Sequence, residues 1–525
     1  MRIGIDVGGT NTDAVLMDGT SVVSSTKTPT TANVSEGIAR ALRDVIEDSG
    51  IDTAAIDGVM IGTTHFTNAV VERKHLTPTA CIRLGLPATV CLPPMVDWPL
   101  DLRDIVGGNA HLAHGGHEFD GREISAFEPD EVRDIAEKIK AAGLNAIAIS
   151  SVFSPVNSIF EEQSAEIVRS VIPGANITLS SEIGRIGLLE RENAAIMNSC
   201  LRQLAARTVD GFKAALDELQ ITSPFYISQN DGTLMNAEFA KEYPVLTFAS
   251  GPTNSMRGAA FLSGLKDAIV VDVGGTTTDI GVLQHGFPRV AALAVEIGGV
   301  RTNFRMPDTY SIGLGGGSLI SPPSHTSPLS RGESTLKVGP RSVGYELTEK
   351  ALVFGGDVLT ATDVIVAGGS QDIGDAGAVA DLDRDLVAAV QARIMEMIAI
   401  AVDRMKTSAT PVPVIVVGGG SILVTGAVEG ASEIIKPDHF PVANAIGAAI
   451  AQVGGECDRI FSLAELSRDE ALDQAKQEAS DRAVNAGAAA ESVDIVDVEE
   501  VPLAYLPGNA TRIMVKAVGD LVEAG

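Results

Sequence analysis

The sequence predicts an α/β protein of two related lobes facing a common cleft, followed by a small α+β segment. Two near-identical octapeptides predict the pair of lobes: residues 6–13 read DVGGTNTD and residues 272–279 read DVGGTTTD. Each is entered by a short β-branched strand (3–6, 269–272) and left by a second one (12–17, 278–283). The turn dipeptides Asp18-Gly19 and His285-Gly286 follow, each before another apolar run, which is a hairpin signature. A third glycine run, Gly418-Gly419-Gly420-Ser421, follows the apolar strand 414–417. Long helical periodicities lie between these strands.

The elements follow in order. Residues 34–46 place Val34, Ile38, Leu42, Val45 and Ile46 on one helical face, and Gly50 is a natural stop. Residues 129–142 form a second amphipathic helix, and 145–153 a strand of mixed small and large apolar residues. Helices are expected over 161–171, 191–219, 381–405 and 443–453. Beyond Gly455 the composition turns to a charged helix, 463–486, and two strands, 493–501 and 510–518, joined by a turn at Leu506-Pro507-Gly508. The simplest division is a first lobe over 1–180, a second over 181–456 and a small α+β domain over 457–525.

A chain of 525 residues, 45% of them hydrophobic, buries a sizeable core and excludes wholesale disorder. Its formal charge of −29 argues against a partner that is nucleic acid or an anionic membrane, since such surfaces need Lys and Arg to neutralise phosphate. The four cysteines, Cys81, Cys91, Cys200 and Cys457, form no C-x-x-C pair and suit free thiols. The opening MRIGIDVGGTN enters a glycine motif with no apolar leader, and no uninterrupted apolar run reaches the ~18 residues of a spanning helix. A reducing cytoplasm is the expected location.

The repeat carries the chemistry. In Gly8-Gly9-Thr10-Asn11-Thr12 and Gly274-Gly275-Thr276-Thr277-Thr278, glycines let the backbone approach an anion, successive N–H groups point at it, and hydroxyls donate to phosphate oxygens. Asp6 and Asp272, each ending a strand, suit a divalent cation held through waters. One copy alone would read equally well as an ordinary tight turn; two copies favour phosphate. Gly418, Gly419, Gly420 and Ser421, between a strand and a helix, leave backbone room for a nucleotide's base and ribose.

Together the three clusters resemble, in order, the phosphate-1, phosphate-2 and adenosine motifs of the actin, sugar kinase and Hsp70-like ATPase superfamily, whose lobes are ribonuclease H-like. Further blocks narrow the resemblance. RIGIDVGGTNTDAVL at the start, GTTHFTNAVVERK over 62–74, SSEI over 180–183, Glu190-Arg191, Asn230 with Gly232, Ser250-Gly251-Pro252, IGLGGGS over 312–318 and VGPRS over 338–342 are similar to blocks of the hydantoinase A and 5-oxoprolinase family. The resemblance covers most of residues 1–455. It implies an actin-like ATPase that binds ATP and Mg²⁺, with Asp6 and Asp272 orienting the metal and Asp13 and Asp279 as secondary catalytic groups.

The implied reaction is hydrolysis of a cyclic amide of hydantoin, oxoproline or lactam type, through phosphorylation of the amide oxygen and then ring opening. Gly315 and Gly316 would join the nucleotide site, and Thr63, Thr64, His65, Asn68, Ser250 and Gly251 would face substrate. A hydantoinase B-like partner subunit and an oligomeric assembly are implied as well. Two other functions share the fold: a small-molecule kinase and an ATP-driven reactivating chaperone. The chain departs from the family at Thr253-Asn254-Ser255, where alanine and glycines are usual, and at Tyr345-Glu346-Leu347.

Three features have two readings each. His111, His114 and His117, beside Glu118 and Asp120, are able to bind Zn²⁺ or another transition metal, or belong to a polar loop. The run 313–317 either lines the cleft or permits a close strand crossing. Arg301, Arg305 and Arg341 either meet phosphate or a substrate carboxylate, or lie solvated.

Overall fold

The computed structural model describes residues 1–30, 34–291, 294–321, 336–504 and 508–521. Its centre is one arrangement used twice. Strand Arg2–Val7 pairs antiparallel with Asn11–Asp18 and parallel with Gly58–Thr63. Strand Ala268–Val273 pairs antiparallel with Thr278–Gln284 and parallel with Val412–Val417. The GTT block thus follows one parallel neighbour and the Gly418 run the other, in topologically equivalent places. The two lobes of the expected fold class are present, each an α/β layer.

The chemistry of the sequence explains the layers. Ile3, Ile5 and Ile61 are fully buried in the first lobe, as are Val271 and the run Val414 to Val417 in the second. Such β-branched runs read as strands covered on both faces. Helix Val34–Ser49 buries Ile38, Leu42 and Val45 against the first sheet and stops at Gly50, whose φ of 65° suits glycine. Helix Arg384–Met405 lays Val390, Ile394, Ile398 and Val402 into the second core.

The lobes meet through two helices, Ser250–Ser263 and Ala443–Ala449. They approach so closely that a Cβ on Gly258 would collide with Ala443 and one on Gly447 with Asn254. The second helix lies on strand Arg2–Val7, the first on strand Thr278–Gln284. Residues 450–452, expected to continue the helix, lead instead into strand Val453–Ser462.

Two features depart from the expected division. The segment after residue 456 is not a separate domain: Val453–Ser462, Ala510–Gly519 and Asp494–Pro502 extend the first lobe's sheet to nine strands. Helix Arg468–Asn485, capped by Ser467 and Glu470, covers them with Ala471, Ala475, Ala479 and Ala483. Cys457, Phe461, Ile513 and Val515 of Val453–Ser462 and Ala510–Gly519 are buried in the first core, and strand Leu234–Asn236 joins them to its sheet through the pairing of Leu234 with Val453. Leu506 and Pro507 of the expected turn lie outside the described residues.

Residues 1–180 also hold more than one lobe. Strands Asn109–His114, Thr79–Leu86, Ala146–Ser151 and Asn176–Leu179 make a separate parallel sheet with helices Pro129–Ala141 and Ile159–Val171. The 31-residue helix Leu188–Glu218 packs against this sheet and against helix Val34–Ser49 of the first lobe. Where it meets the four-stranded sheet, the Arg83 guanidinium donates to Glu192 from Nε at 2.7 Å, and both side chains are fully buried. Among the described residues no helix is long and apolar enough to cross a membrane.

Candidate functional site

Both octapeptides form the same hairpin. Asp6 stands opposite Asp13 and Asp272 opposite Asp279. The Gly8 N–H donates to Asn11 O at 3.0 Å and the Gly274 N–H to Thr277 O at 2.9 Å, which closes each turn. At the tips, the amides of Gly9, Thr10, Gly275 and Thr276 have no acceptor among the described residues. The tips face one another: the Thr10 side chain lies 3.3 Å from where a Cβ on Gly275 would sit. Thr12 and Thr278 differ from the expected phosphate donors. Both are fully buried, and the Thr278 hydroxyl donates to Leu314 O at 2.7 Å.

The first aspartate pair is enclosed and tied. Asp6 and Asp13 are 4% and 3% exposed. Asn444 Nδ2 donates to Asp6 Oδ2 at 3.0 Å and to Asp13 Oδ2 at 2.9 Å. Asn254 Nδ2 lies 3.4 Å from Asp6 Oδ1, and Lys27 Nζ lies 2.5 Å from Asp13 Oδ1. Burial, reinforced by the Asp13 charge, lifts Asp6 to about 6. Asp272 is lifted to about 7, chiefly by burial, with a hydrogen bond from Ser255 opposing it, Asp279 and then Asp6 adding repulsion, and Lys27 opposing it more weakly. Asp279 is raised by burial, while the Ser311 hydroxyl donates to it and favours the anion. Lys27 therefore acts on both repeats.

Glycine makes room for both metal-orienting candidates. Gly62 is the register partner of Asp6, and Gly418 directly follows Val417, the partner of Asp272. A Cβ on Gly62 would meet Asp6 Oδ1 at 2.6 Å, and one on Gly418 would collide with Asp272 Oδ1. Gly418 has a φ of 86° and donates to Phe440 O at 2.9 Å, and Gly420 donates to Val273 O at 2.7 Å. The Gly419 amide has no acceptor among the described residues and adjoins Lys27. Ser421 Oγ and Asn254 Oδ1 are buried without a partner among the described residues, as a polar ligand's neighbours would be.

The run 313–317 takes the close-crossing role. The Gly316 and Gly317 amides donate to Gly274 O at 3.1 Å and Gly275 O at 2.8 Å, and the Gly315 amide donates to Ser318 Oγ at 2.8 Å. Gly316 and Gly317 thus brace the second turn from behind, and the amides of Gly315 and Gly316 are already engaged.

The expected substrate residues are interlocked beside the first turn. Ser250 Oγ donates to Thr63 O at 3.0 Å and accepts from the Thr63 amide at 3.2 Å. The Thr64 amide and hydroxyl both lie 3.4 Å from Val7 O, and Asn68 Nδ2 donates to Thr64 Oγ1 at 3.4 Å. Gly251 approaches the Thr64 methyl. His65 is half-buried, its amide donates to Thr63 Oγ1 at 3.1 Å, and burial depresses its ring pKa.

The three loop histidines do not converge. His111 and His114 lie on strand Asn109–His114, where residues three apart face opposite ways. The His114 ring meets Glu131 at 3.1 Å, and buried His117 stacks on Phe160 at 4.5 Å. Among the described residues no group of three or more His, Cys, Asp or Glu is placed to hold a metal ion. The arginine candidates lie elsewhere: Arg301 pairs with Glu190 at 3.2 Å, Arg305 pairs with Glu456, and Arg341 is exposed.

Residues 2–172 match the model of the hydantoinase/oxoprolinase N-terminal region, and residues 191–372 that of hydantoinase/oxoprolinase. The chain is similar to the caprolactamase alpha subunit of Pseudomonas jessenii, 26% identical over 77% of this chain and 60% of that one. It is also similar to the acetophenone carboxylase gamma subunit of Aromatoleum aromaticum, 25% identical over 69% of this chain and 52% of that one. The chain thus spans about half to three fifths of the length of these relatives. The fold is that of an ATP-dependent caprolactamase from Pseudomonas jessenii (TM-score 0.79, 19% identity, 99% of this chain and 88% of that one). A nucleotide-free acetone carboxylase also shares it (TM-score 0.69, 18% identity, 99% and 88%).

Proposed function

Taking as premise that this chain belongs to the hydantoinase/oxoprolinase family, we propose that it is an ATP- and Mg²⁺-dependent hydrolase of a cyclic amide, working with a partner subunit. The observation that carries the reading is the facing pair of hairpins, with free amides at both tips and an aspartate at the same register position in each. In the proposed reaction the amide oxygen takes the γ-phosphoryl group of ATP. ADP is left by that transfer; water then adds to the activated carbon, the C–N bond breaks, and phosphate departs, leaving a carboxylate together with an amine from a lactam or oxoproline, or a ureido group from a hydantoin.

The chain's own residues supply position and charge. Gly9, Thr10, Gly275 and Thr276 offer backbone donors to the β- and γ-phosphates from opposite sides. Mg²⁺, when bound, would neutralise phosphate charge, held by Asp6 and Asp272 through waters. The raised pKa values of these two carboxylates fit groups that await a cation, because metal charge restores the anionic form that burial disfavours. Lys27 sits beside Asp13 and Gly419, where a cation can face a phosphate oxygen. Asn444 fixes Asp6 and Asp13 relative to each other. Thr63, Thr64 and His65, held against Val7 and Ser250, are the groups we assign to the substrate side.

A second reading is favoured by the relatives named as carboxylases. In it the phosphoryl acceptor is the oxygen of a ketone-derived enolate or of bicarbonate. The test is Mg²⁺-dependent ATP hydrolysis by the full chain, alone and with a panel of hydantoins, oxoproline, lactams, and ketones with bicarbonate. Stimulation by a ring amide, with its ring-opened acid released (an amino acid from a lactam or oxoproline, an N-carbamoyl amino acid from a hydantoin), supports the proposal. Stimulation only by a ketone and bicarbonate selects the second reading, and stimulation by a co-purifying protein alone points to the chaperone function.

A further inference from the structure

A cavity of about 650 Å³ lies away from the two hairpins. One wall is formed by the loops that leave the carboxyl ends of the parallel strands Ala146–Ser151 and Asn176–Leu179, a usual place for ligands in parallel sheets. The facing wall comes from strand Val453–Ser462, with Arg305 beside it.

The charges of this cavity are incompletely paired. Arg512 engages both oxygens of Asp458, at 2.7 and 2.6 Å. Arg185 is left with a lateral contact at 3.1 Å to the same carboxylate, and its guanidinium donates no hydrogen bond among the described residues. Arg305 pairs with Glu456 through Nη1, and its buried Nε has no partner among the described residues. Asp458 therefore serves two cations, and Arg185 Nη1 and Nη2 and Arg305 Nη2, which are not sealed off as the two Nε atoms are, make no hydrogen bond among the described residues of this lining. Unmet buried donors are unfavourable, and an anion with planar oxygens satisfies them best.

The opposite need is also present. Glu162 and Glu182 line the same cavity with no cation partner among the described residues. The first accepts from Ser158 Oγ at 2.5 Å and the second from the Tyr243 hydroxyl at 3.0 Å. Leu179, Phe239 and Leu246 supply apolar surface in the same lining.

We propose that the cavity binds a small zwitterion, with its carboxylate at Arg185 and Arg305, its ammonium at Glu162 and Glu182, and its methylenes on the apolar surface. Ring opening of a lactam or of oxoproline places a carboxylate and an amine on one chain, so the product of the proposed reaction on these rings has this chemistry. That link rests on the proposed function; the cavity's own complementarity does not.

Calorimetric titration of the full chain with β-alanine, γ-aminobutyrate and ε-aminocaproate tests the proposal, with caproate and hexylammonium as half-molecules. At least one amino acid is expected to bind about tenfold or more tightly than either half-molecule. Arg185→Gln, which leaves Asp458 paired with Arg512, should weaken that binding about tenfold and leave Mg·ATP binding unchanged. The double variant Glu162→Gln, Glu182→Gln alters exposed side chains and should erase the preference over caproate. No binding by any amino acid at millimolar concentration, caproate binding as tightly, or an Arg185→Gln variant that binds as wild type would each overturn the proposal. Mg·ATP titrated separately keeps its failure distinct from that of the nucleotide reading.

Discussion

The two hairpins have nearly the same sequence and unlike surroundings. In the first, Asp6 and Asp13 share Asn444, and Lys27 lies on Asp13. In the second, Asp272 has no ion pair among the described residues and takes a hydrogen bond from Ser255, Asp279 accepts from Ser311, and the turn is braced from behind by Gly316 and Gly317. One aspartate is lifted to about 6 and its counterpart to about 7. The repeated octapeptide sets the geometry, and residues from remote segments set the charge. The first hairpin is built as a fixed anchor. The second holds a carboxylate that gains its charge near neutral pH.

The comparison is broken most severely at Asp272. Asp272→Asn removes the charge that the second hairpin contributes, and ATP hydrolysis should fall by roughly 100-fold or more, the scale of losing a central electrostatic contact. Circular dichroism and gel filtration should match wild type, because the residue serves a ligand and not the core. Undiminished turnover in a folded variant would remove the second hairpin from the site.

Lys27→Met tests the anchor. Asp13 would keep its burial and lose its cation. Because Lys27 is about one-third exposed, the cost should be about 1–2 kcal/mol, below that of breaking a fully buried pair. Urea unfolding measures it. Nucleotide affinity should fall as well, since the lysine influences both Asp6 and Asp272. Unchanged affinity would confine Lys27 to stability.

The pH dependence sharpens the difference between the carboxylates. At subsaturating Mg²⁺, ATP hydrolysis should rise with pH through about 7, as Asp272 ionises, and then level off. The stability of the free protein moves the other way. Folded Asp272 keeps its proton up to about 7, whereas in the unfolded chain it loses it near the ordinary 3.8. The folded state therefore binds more protons between these values, and this contribution to stability declines as pH rises through them. A thermal-melt series across pH 5–8 for wild type and Asp272→Asn isolates it, and equal slopes would contradict the assignment. The smallest effect belongs to Ser311→Ala, which removes one donor from Asp279. About 1 kcal/mol or less of stability should be lost, with turnover changed less than in the Lys27 variant.

What the sequence made legible was local. The octapeptides announced both hairpins because glycine turns and flanking β-branched residues act over a few positions. The helix over 34–49 was equally readable from its apolar face and Gly50. Lys27, Asn254 and Asn444 were not picked out as site residues. Lys27 reaches Asp13 because strand Ser21–Pro29 pairs beside it, and the two asparagines arrive on the helices that join the lobes.

Nonlocal pairing likewise hid the fate of the last strands. Their alternating pattern reads as sheet, and nothing local says which sheet. Gly315 and Gly316 looked like ligand-facing glycines, yet their amides serve Gly274 and Ser318. His111, His114 and His117 looked like a metal triad by spacing, a pattern that strand geometry and the stacking of His117 on Phe160 undo.

The central claim is that the facing hairpins grip one nucleotide. Calorimetric titration of Mg·ATP into the full chain and into the Asp272→Asn variant tests it most directly. One site per chain is expected in the wild type, bound at least tenfold more weakly in the variant and more weakly without Mg²⁺. Absence of binding at millimolar nucleotide, or equal affinity in the folded variant, would contradict it.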